Sequence, residues 1–512
     1  MVDSPMIDHA TLTRPGIQDF AGKRVAVVGL GKSGVASLEA LTSFTDARVS
    51  AWDASMATLA KIAHLPLATA GSDTNAEELA EKVLAWRPDM VIPAPAIPEI
   101  GPLFKLCKVN GIEMASEIEL AWRLRAIDAQ GNWAPWLCVT GTNGKTTTVT
   151  MAASILQAAG LGAQPLGNVG NPAITEITKT GLDAQSAFAL ELSSFQLRTT
   201  HTMQPHASIC MNIADDHLEW HGSFPAYQAA KSRVYRNVHK ACVYPIGNST
   251  IQHMVDEADV IKGARAIGIT LGIPSVGSIG IVEDLIVDRA YGKKRWKSAE
   301  VLLDLNDLHH LAPSGKIPEH IVWDTLAACA LTRSLGISPQ HIHDGLVAMN
   351  PGKHRIELID TVRGVRYVDD SKATNAHATL ASISAQPPGS VVWIAGGLAK
   401  GARFTHLVDE IHNHLRAVVV IGKDQEPWHE ALDGRNIPTV YIPGDSLNPM
   451  DDAVRTCATL AQGGDTVLLA PASASMDQFT SYADRGNKFA EAVKRIAASV
   501  AQPITSPDNR AT

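Results

Sequence analysis

The segment Gly-Thr-Asn-Gly-Lys-Thr-Thr at residues 141–147 has the residue types and spacing of a loop that binds phosphate. Backbone N–H groups of such a turn point at phosphate oxygens, and a helix that begins there adds partial positive charge. Lys145 can neutralise the outer phosphates, and Thr146 can ligate magnesium. The general pattern places a glycine where this chain has Val139, so the glycine pair is closer together here. These residues predict a nucleotide phosphate site; the alternative is a Gly-rich turn with an incidental lysine.

A second glycine-rich segment, Gly29-Leu30-Gly31-Lys32-Ser33-Gly34, follows an apolar run, and Asp53 ends the next apolar run. The G-x-G-x-x-G pattern with a later acid is typical of a dinucleotide site. The same geometry holds any diphosphate against a helix N-terminus. A tight turn that packs a helix on a sheet needs the same glycines. No group suited to hydride transfer is evident, so NAD is the least favoured of the three interpretations.

Acidic and basic side chains follow other apolar runs, at Glu191, at Asp215–His217 and at Lys231. The carboxyl ends of parallel strands line the ligand crevice of an open sheet, so these groups could face the phosphate loop. Magnesium takes oxygen ligands, which Glu191 and Thr146 supply, and a second metal could accept His217. Taken singly, each residue could instead be a strand-end carboxylate that caps a helix, or a buried histidine with its hydrogen bonds satisfied.

The elements that would position these residues follow an α/β pattern. Short apolar runs rich in Val and Ile alternate with segments of helical spacing, as in parallel sheets flanked by helices. The predicted strands are 24–28, 48–52, 89–92, 136–139, 187–192, 207–213, 364–368, 391–395, 417–421 and 466–469, and the predicted helical segments are 35–44, 149–159 and 320–335.

Changes of composition divide the chain into three domains, 1–133, 134–351 and 352–512, with boundaries near residue 133 and at Pro351-Gly352. Residues 262–318 are rich in Gly and Pro with weak periodicity, and the tail from Gln502 has no apolar face to bury. Both segments are interpreted as additions to the parts of the chain that carry the function. The basic run at residues 293–297 is interpreted as a solvated hairpin.

Composition excludes several classes of protein. The 512 residues include 44 Lys plus Arg against 52 Asp plus Glu, a net charge of -8, so nucleic acid is not expected as a partner. Six scattered cysteines without a C-x-x-C pair indicate a reducing compartment. The N-terminal residues lack the features of a signal peptide, and no run reaches about 18 apolar residues. The sequence therefore predicts a cytoplasmic protein with no membrane partner.

Several motifs give the chain, over nearly its whole length, a resemblance to the Mur ligase family, the ATP-dependent amide-forming ligases of peptidoglycan synthesis. The short phosphate loop is shared with the related folylpolyglutamate synthetases, whereas four further motifs, in order, resemble the members that add D-glutamate. These motifs are Gly167-Asn168-Val169-Gly170, Glu191-Leu192-Ser193-Ser194-Phe195-Gln196-Leu197, Asp370-Ser371-Lys372-Ala373-Thr374-Asn375 and Pro471-Ala472-Ser473-Ala474-Ser475-Met476-Asp477-Gln478-Phe479.

The resemblance implies an N-terminal Rossmann-like domain for the UDP part of the substrate, a central P-loop ATPase domain with a mainly parallel sheet, and a C-terminal Rossmann-like domain that closes over the site. It implies ATP and two magnesium ions, with UDP-N-acetylmuramoyl-L-alanine and D-glutamate as substrates joined through an acyl phosphate. It also implies that CO₂ carbamylates Lys231 into an anionic metal ligand.

The resemblance assigns roles residue by residue. The implied catalytic residues are Lys145, Glu191, His217 and Lys231, and the implied metal ligands are Thr146, Glu191, His217 and Lys231. The implied ATP-binding residues are Gly141, Thr142, Asn143, Gly144, Lys145, Thr146, Thr147, Asp324, Arg355 and Asp370. The implied substrate-binding residues are Lys32, Ser33, Asp53, Asn168, Lys372, Thr374, Lys400, Ser475, Met476 and Tyr482.

The chain departs from the family pattern at three places: Ala94-Pro95-Ala96 in place of Ser-Pro-Gly, His320-Ile321-Val322-Trp323-Asp324 in place of His-Asn-x-x-Asn, and Gly396–Phe404, which keeps Lys400 but loses two acids. Folate polyglutamylation is an alternative that the Gly29–Gly34 segment and the Asp370–Asn375 motif disfavour. An NAD-dependent dehydrogenase and a catalytically inactive cell-wall scaffold are alternatives from other classes. The sequence therefore predicts an active ligase whose binding pockets differ in detail from the family pattern.

Overall fold

The computed structural model describes residues 11–179, 186–311, 317–350 and 352–501. The chain divides into two compact units, one made of the residues up to 307 with 323–349, the other of 308–322 with the residues from 350 onward. The first ten residues, Pro351 at the predicted second boundary and the tail from Gln502 lie outside the described residues.

The strands of the described residues form three sheets. They are β1 (Arg24–Val28), β2 (Arg48–Asp53), β3 (Thr69–Ser72), β4 (Met90–Pro93), β5 (Glu113–Met114), β6 (Trp136–Thr140), β7 (Pro165–Gly167), β8 (Phe188–Glu191), β9 (Ala207–Cys210), β10 (Ala241–Pro245), β11 (Arg265–Ile269), β12 (Ser278–Val282), β13 (Leu285–Asp288), β14 (Glu300–Asp304), β15 (Glu357–Val362), β16 (Val365–Asp369), β17 (Val391–Gly396), β18 (Leu415–Ile421), β19 (Thr439–Tyr441) and β20 (Thr466–Leu469).

The α-helices of the described residues alternate with these strands. They are α1 (Lys32–Phe44), α2 (Met56–Lys61), α3 (Ala76–Ala85), α4 (Pro102–Val109), α5 (Glu117–Arg123), α6 (Lys145–Ala158), α7 (Ala173–Ile177), α8 (Ser194–Arg198), α9 (Leu218–His221), α10 (Phe224–Ser232), α11 (Ser249–Asp256), α12 (Glu319–Arg333), α13 (Pro339–Val347), α14 (Ala376–Ser384), α15 (Thr405–Ile411), α16 (Glu426–Leu432), α17 (Pro449–Leu460) and α18 (Tyr482–Ala501). No helix in the described ranges combines the length and the apolar character that crossing a membrane requires.

The first sheet has the order β3-β2-β1-β4-β5, and all its pairs are parallel. Its central strand β1 is almost fully buried because the run Val25–Val28 is apolar on both faces, as expected of a strand covered by helices on each side. The turn after β1 leads directly into α1, so the glycine-rich segment lies at the carboxyl edge of this sheet.

The second sheet has the order β14-β13-β12-β11-β10-β9-β6-β8-β7. It is parallel from β7 to β12, and β13 and β14 add antiparallel strands at one edge. The central strand β6 is buried at all five positions and carries the phosphate loop at its carboxyl end. Residues 262–318, in which the weak periodicity predicted no strand, supply four strands of this sheet, β11–β14.

The irregular appearance of this region has a physical cause. Its strands are four or five residues long, and Gly268 and Gly280 interrupt two of them, so few alternating positions remain to reveal a strand. The basic run 293–297 lies in the turn between β13 and β14 with most of its side chains exposed, which confirms the solvated hairpin.

The third sheet, in the second unit, has the order β15-β16-β20-β17-β18-β19. Only β15 is antiparallel to its neighbour within the described strands of this sheet. Apolar clusters cover both faces, with Phe489 and Val454 on one side and Trp393 and Phe404 on the other. The parallel order places the ends of β16, β20 and β17 side by side.

The six cysteines are free, buried thiols in all three sheet regions. Burial in apolar surroundings raises the pKa of Cys107 and of Cys210 to about 11. The same cause raises the pKa of Cys242 and of Cys329 to about 12 and lifts the pKa of Cys138 and of Cys457 higher still.

Candidate active site

The phosphate loop runs from the end of β6 to the start of α6, as predicted. Gly141 has φ of 149° and Gly144 has φ of 80°, backbone conformations that favour glycine. A Cβ atom at Gly144 would also collide with the Oδ1 atom of Asp324. Asp324 is buried and bonds the Thr148 hydroxyl at 3.2 Å, so it supports the loop from the side of α12.

Asn212, which the sequence analysis did not single out, holds the loop in shape. Its Oδ1 atom accepts hydrogen bonds from the backbone N–H groups of Thr142 at 3.0 Å and Asn143 at 2.8 Å. Its Nδ2 atom donates to the Asn143 carbonyl at 3.2 Å. Asn212 lies two residues beyond β9, which neighbours β6, so its position at a strand end was the available signal.

Lys145 and Thr146 begin α6 and face different partners. The Lys145 ammonium donates to the carbonyls of Gly141 at 2.9 Å and Thr142 at 2.8 Å. The Thr146 hydroxyl donates to Oε2 of Glu191 at 2.5 Å. Thr147 is buried on the same helix. The cation and the predicted metal-ligating hydroxyl therefore lie on the same turn, next to a carboxylate.

Glu191 is the last residue of β8 and is 3% exposed. Its Oε1 atom accepts a hydrogen bond of 2.8 Å from the side-chain amide of Asn168, which follows β7. Thr146, Glu191 and Asn168 thus form one connected group at the ends of three neighbouring elements. A carboxylate, a hydroxyl and an amide supply the oxygen donors that magnesium prefers, so the residues present fit that ion.

His217 precedes α9 with φ of 53°, and its side chain is half-exposed. Burial lowers its pKa, opposed by the charges of Asp216 and Glu219, while the nearby charges of Lys231 and Lys145 lower it further. Among the described residues, its side-chain partners are Asp216 at 3.4 Å, Glu219 at 3.7 Å and the rings of Phe195 and Tyr227. His217 therefore lies within electrostatic range of the two lysines but does not bond Glu191 directly.

Lys231, on α10, is 2% exposed and points at the base of the phosphate loop. Its ammonium donates to the Gly141 carbonyl at 2.8 Å and lies 3.4 Å from the Thr140 hydroxyl. Burial and the neighbouring charge of Lys145 lower the pKa of Lys231 to about 7. The side chain also lies over the ring of Tyr227, whose hydroxyl is 3.0 Å from that of Thr142.

The glycine-rich turn after β1 is built around Asp53. Its carboxylate accepts hydrogen bonds from the backbone N–H groups of Leu30 at 2.7 Å and Ser55 at 2.9 Å. A Cβ atom at Gly34 would collide with the Gly29 carbonyl, which explains that glycine. Lys32 is exposed and Ser33 half-buried in the first turn of α1, where a phosphate could reach both.

In the second unit, three segments meet at the carboxyl ends of β16, β20 and β17. The N–H group of Ala472 donates to the Ala373 carbonyl at 3.0 Å, and that of Leu398 donates to the Ala474 carbonyl at 2.8 Å. Arg485, which the sequence analysis missed, is fully buried and joins two of the segments. It donates to the hydroxyl and carbonyl of Ser371 and to the Ser473 carbonyl, at 2.9–3.0 Å.

The six substrate-binding residues predicted for this part of the chain lie on those segments or at the start of α18. The Lys372 ammonium lies 3.9 Å from the centre of the Tyr482 ring, and the Thr374 N–H donates to the Lys372 carbonyl at 2.8 Å. The remaining three are Lys400, exposed with φ of 51°, Ser475, buried, and Met476, 72% exposed.

Arg355 and Asp370, the two predicted ATP contacts of the second unit, are close in the structure. Burial raises the pKa of Asp370 to about 6, although the Ser382 hydroxyl and the charge of Arg355 oppose the shift. Next to Arg355, His354 has φ of 65°, and its Nδ1 atom lies 2.6 Å from the Asp369 carboxylate.

His354, Glu357 and Asp369 bring potential metal-binding atoms within 4.8 Å of one another. The three side chains are held close together by hydrogen bonds among these residues and by one from the Ser371 N–H to Asp369, so no metal ion is needed to explain their closeness.

Comparison with known proteins agrees with this architecture. Residues 139–275 match the family described as Mur ligase middle domain, and residues 354–473 match the family described as Mur ligase, glutamate ligase domain. A protein from Streptomyces coelicolor named UDP-N-acetylmuramoylalanine–D-glutamate ligase is 42% identical, with 94% of this chain and 99% of the relative covered. A protein of the same name from Streptomyces avermitilis is 41% identical, covering 94% of this chain and 100% of its own.

A solved structure, the MurF ligase from Thermotoga maritima in complex with ADP, has a TM-score of 0.53 at 15% identity, covering 95% of this chain and 97% of its own. That likeness concerns the fold, which is mixed α/β with largely parallel sheets. From the sequence relationship, the chain belongs to the Mur ligase family.

Proposed function

We propose that this chain is the ligase that adds D-glutamate to UDP-N-acetylmuramoyl-L-alanine in peptidoglycan precursor synthesis. The observation that carries the proposal is the hydrogen bond between Thr146 and Glu191 at the ends of β6 and β8, with Lys145 on the same turn of the phosphate loop, in a member of the Mur ligase family. The relatives that match 94% of this chain carry the name of this activity. The four motifs that resemble the D-glutamate-adding members support the same choice.

In the proposed reaction, a carboxylate oxygen of the L-alanyl group attacks the γ-phosphorus of ATP. The bond between that phosphorus and the β,γ-bridging oxygen breaks, leaving ADP and an acyl phosphate. The amine of D-glutamate then attacks the acyl carbon, and inorganic phosphate leaves as the amide forms and the amine loses a proton. Phosphorylation is needed because a carboxylate is itself a poor electrophile.

Residues of the first unit would hold ATP and magnesium. The start of α6 would present backbone N–H groups to phosphate oxygens, because those of Thr142 and Asn143 in the loop already donate to Asn212. Lys145 would move from its carbonyl partners to the outer phosphates. Thr146 and Glu191 would hold one magnesium ion, and His217 with Lys231 a second. Magnesium, when bound, neutralises charge on the transferring phosphoryl group. Asp324 fixes the loop from behind.

Lys231 would act as a carbamate. Its amine, with a pKa of about 7, is substantially neutral at physiological pH and can attack CO₂. The nitrogen forms a bond to the carbon of CO₂ and releases one proton, which leaves an anionic group with two oxygen acceptors. An ammonium, by contrast, has no acceptor for a metal. The carbamate would thus turn a buried cation into a ligand.

The other sheets would bind the two remaining substrates. The order β3-β2-β1-β4-β5 supports a Rossmann-like domain over residues 1–133, where Lys32, Ser33 and Asp53 would contact the uridine nucleotide. Asn168 would contact the muramoyl-alanine part. Residues 352–512 would form a second Rossmann-like domain, with Lys372, Thr374, Lys400, Ser475, Met476 and Tyr482 around D-glutamate and Arg355 and Asp370 toward ATP. Residues 134–351 would form the central P-loop domain, and the buried free thiols support a cytoplasmic location.

Phosphate release from ATP, measured with UDP-N-acetylmuramoyl-L-alanine and with or without D-glutamate, tests the proposal. We expect phosphate release to require both substrates. The Lys145→Ala variant should lose at least about 100-fold in the rate of phosphate release, because the cation of the phosphate loop stabilises the transferring phosphoryl group. Lys297→Ala, which removes an exposed lysine of the β13–β14 turn, is the matched control. Wild-type turnover in Lys145→Ala, or release driven by a folate and L-glutamate instead, would refute the assignment.

A further inference from the structure

Glu99, His221 and Ser194 form a connected line of side chains in the first unit, outside the residues assigned above. The His221 side chain is fully buried, with Nδ1 3.3 Å from Oε2 of Glu99 and Nε2 2.9 Å from the Ser194 hydroxyl. An ionised carboxylate only accepts hydrogen bonds, so Nδ1 carries the proton and donates to Glu99. In the neutral ring, Nε2 then accepts from Ser194.

The order serine, histidine, carboxylate is that of a nucleophilic triad. Ser194, however, is the first residue of α8 and is only 2% exposed, so no substrate carbonyl can reach its hydroxyl. The group also contains a cation, because Glu99 accepts a hydrogen bond of 2.5 Å from Arg198. The arrangement therefore holds elements together and does not supply a nucleophile.

The elements that it holds carry the predicted metal ligands. His221 ends the single turn α9 that His217 precedes, and its backbone N–H donates to the His217 carbonyl at 3.1 Å. Ser194 lies three residues after Glu191 on the same connection. Glu99 belongs to the connection after β4 of the first sheet. One imidazole thus joins the segment of His217, the segment of Glu191 and the edge of the first sheet.

Two further observations show that this junction is firm. The Trp220 indole donates to the Pro95 carbonyl at 2.9 Å, so α9 is attached to the first sheet a second time. Burial alone would raise the pKa of Glu99, but hydrogen bonds from His221 and Arg198 outweigh it and bring the pKa below its ordinary value. Glu99 is therefore a carboxylate that both partners stabilise at neutral pH.

We propose that His221 is a positioning residue: held between Glu99 and Ser194, it fixes the place of His217 relative to Glu191. The identity of the metal rests on the proposed function, whereas the positioning itself rests on these contacts. Groups behind metal ligands commonly contribute about 10- to 100-fold to metal affinity. Loss of the His221 hydrogen bonds is expected to act in that range without removing any ligand.

The test compares three variants of the full chain. His221→Phe keeps a planar ring but loses both hydrogen bonds, and Glu99→Gln is a milder change at the far end of the line. His206→Phe is the matched control, because His206 is a largely buried histidine of the same unit whose Nε2 bonds the Ser334 carbonyl at 3.1 Å. Two quantities are measured: binding of Mn²⁺ alone by electron paramagnetic resonance, and the half-saturating Mg²⁺ concentration in phosphate release.

We expect His221→Phe to weaken Mn²⁺ binding and to raise the half-saturating Mg²⁺ concentration by about tenfold. Glu99→Gln should shift both in the same direction by less, and His206→Phe should lower the melting temperature without shifting either. A folded His221→Phe with wild-type metal dependence overturns the proposal. If His221→Phe does not fold, a folded Glu99→Gln with wild-type metal dependence overturns it instead. If the wild type itself releases no phosphate while His221→Phe weakens Mn²⁺ binding, the proposed function is refuted and the positioning role of His221 is supported.

Discussion

Lys231 shows how the surroundings of one side chain decide its chemistry. The residue sits between the phosphate loop and Tyr227 with almost no contact with water, and its pKa falls to about 7. Below that pH the amine is protonated and cannot attack CO₂, and above it the free amine predominates. In the sequence, Lys231 looks like an ordinary helix lysine; burial against Lys145 is what makes it different.

Replacement of Lys231 by alanine should lower ligase activity by at least about 100-fold, since it would remove a metal ligand. Acetate should restore part of the activity, because a small carboxylate can occupy the place of the carbamate. Wild-type activity should also fall as the pH drops below about 7, in line with the lowered pKa of the amine. The measurements are phosphate release with and without acetate and a pH profile at a fixed concentration of dissolved CO₂. Full activity of the alanine variant would exclude the carbamate.

Asp53 is a second residue whose contacts lead to a testable prediction. Its carboxylate fixes the glycine-rich turn through the N–H groups of Leu30 and Ser55. Asp53→Ala should therefore raise KM for the UDP substrate by about tenfold, the effect of one charged hydrogen bond, with little change in KM for ATP. Asp53→Asn keeps an acceptor and should be milder. A change in the ATP KM alone would contradict the assignment of the first sheet.

At the scale of elements, the spacing of apolar residues predicted the positions of most strands and helices that such local patterns encode. The strands β1, β6, β17 and β20 and helix α12 lie where apolar spacing placed them, because each is covered on both faces or along one stripe. The same is true of the phosphate loop, whose glycines and lysine lie close together in the chain, between residues 141 and 145.

The contacts that complete the site could not be found in this way. Asn212 bonds a loop about 70 residues away, Arg485 bonds Ser371 across 114 residues, and His221 bonds Glu99 across 122 residues. Their residue types are unremarkable in their own segments. Only the order of the strands brings them to their partners, and single-sequence periodicity carries no information about that order.

Glu117 joins two such elements and makes stability depend on pH. It begins α5, its Oε1 accepts a hydrogen bond of 2.6 Å from the Ile174 N–H of α7, and its Oε2 has no hydrogen-bond partner among the described residues. Burial raises its pKa to about 7. The native state thus binds a proton that the unfolded chain releases near its ordinary value, so the contribution to stability is present at acidic pH and is lost as the pH rises through about 7.

Glu117→Gln should remove this dependence. The amide keeps an acceptor for the Ile174 N–H but carries no charge, so the variant should gain on the order of 3 kcal/mol over the wild type between pH 5 and 8. Urea unfolding at both pH values measures the difference. The control is Glu77→Gln at the exposed start of α3, for which no such gain is expected. Parallel pH curves for Glu117→Gln and the wild type would show that the buried carboxyl does not titrate in this range.

At the scale of the whole molecule, the thiols report on folding in both units. All six cysteines are buried, and the pKa of each is raised by burial, so almost no thiolate is available at pH 8. The folded chain should react with less than about one equivalent of a disulfide reagent such as dithionitrobenzoate, and the unfolded chain with six. Absorbance of the released thiolate counts the reactive groups. Rapid reaction of several thiols without denaturant would contradict their burial.

The low reactivity of the native thiols has a practical consequence for studying domain motion. A cysteine introduced at an exposed position would be the only reactive one, so the chain can carry fluorescent dyes without first removing its own cysteines. One dye on the β13–β14 turn and another on the exposed face of α17 would place a donor in one unit and an acceptor in the other. Energy transfer between them, followed as ATP and each substrate are added in turn, would then time any closing movement directly.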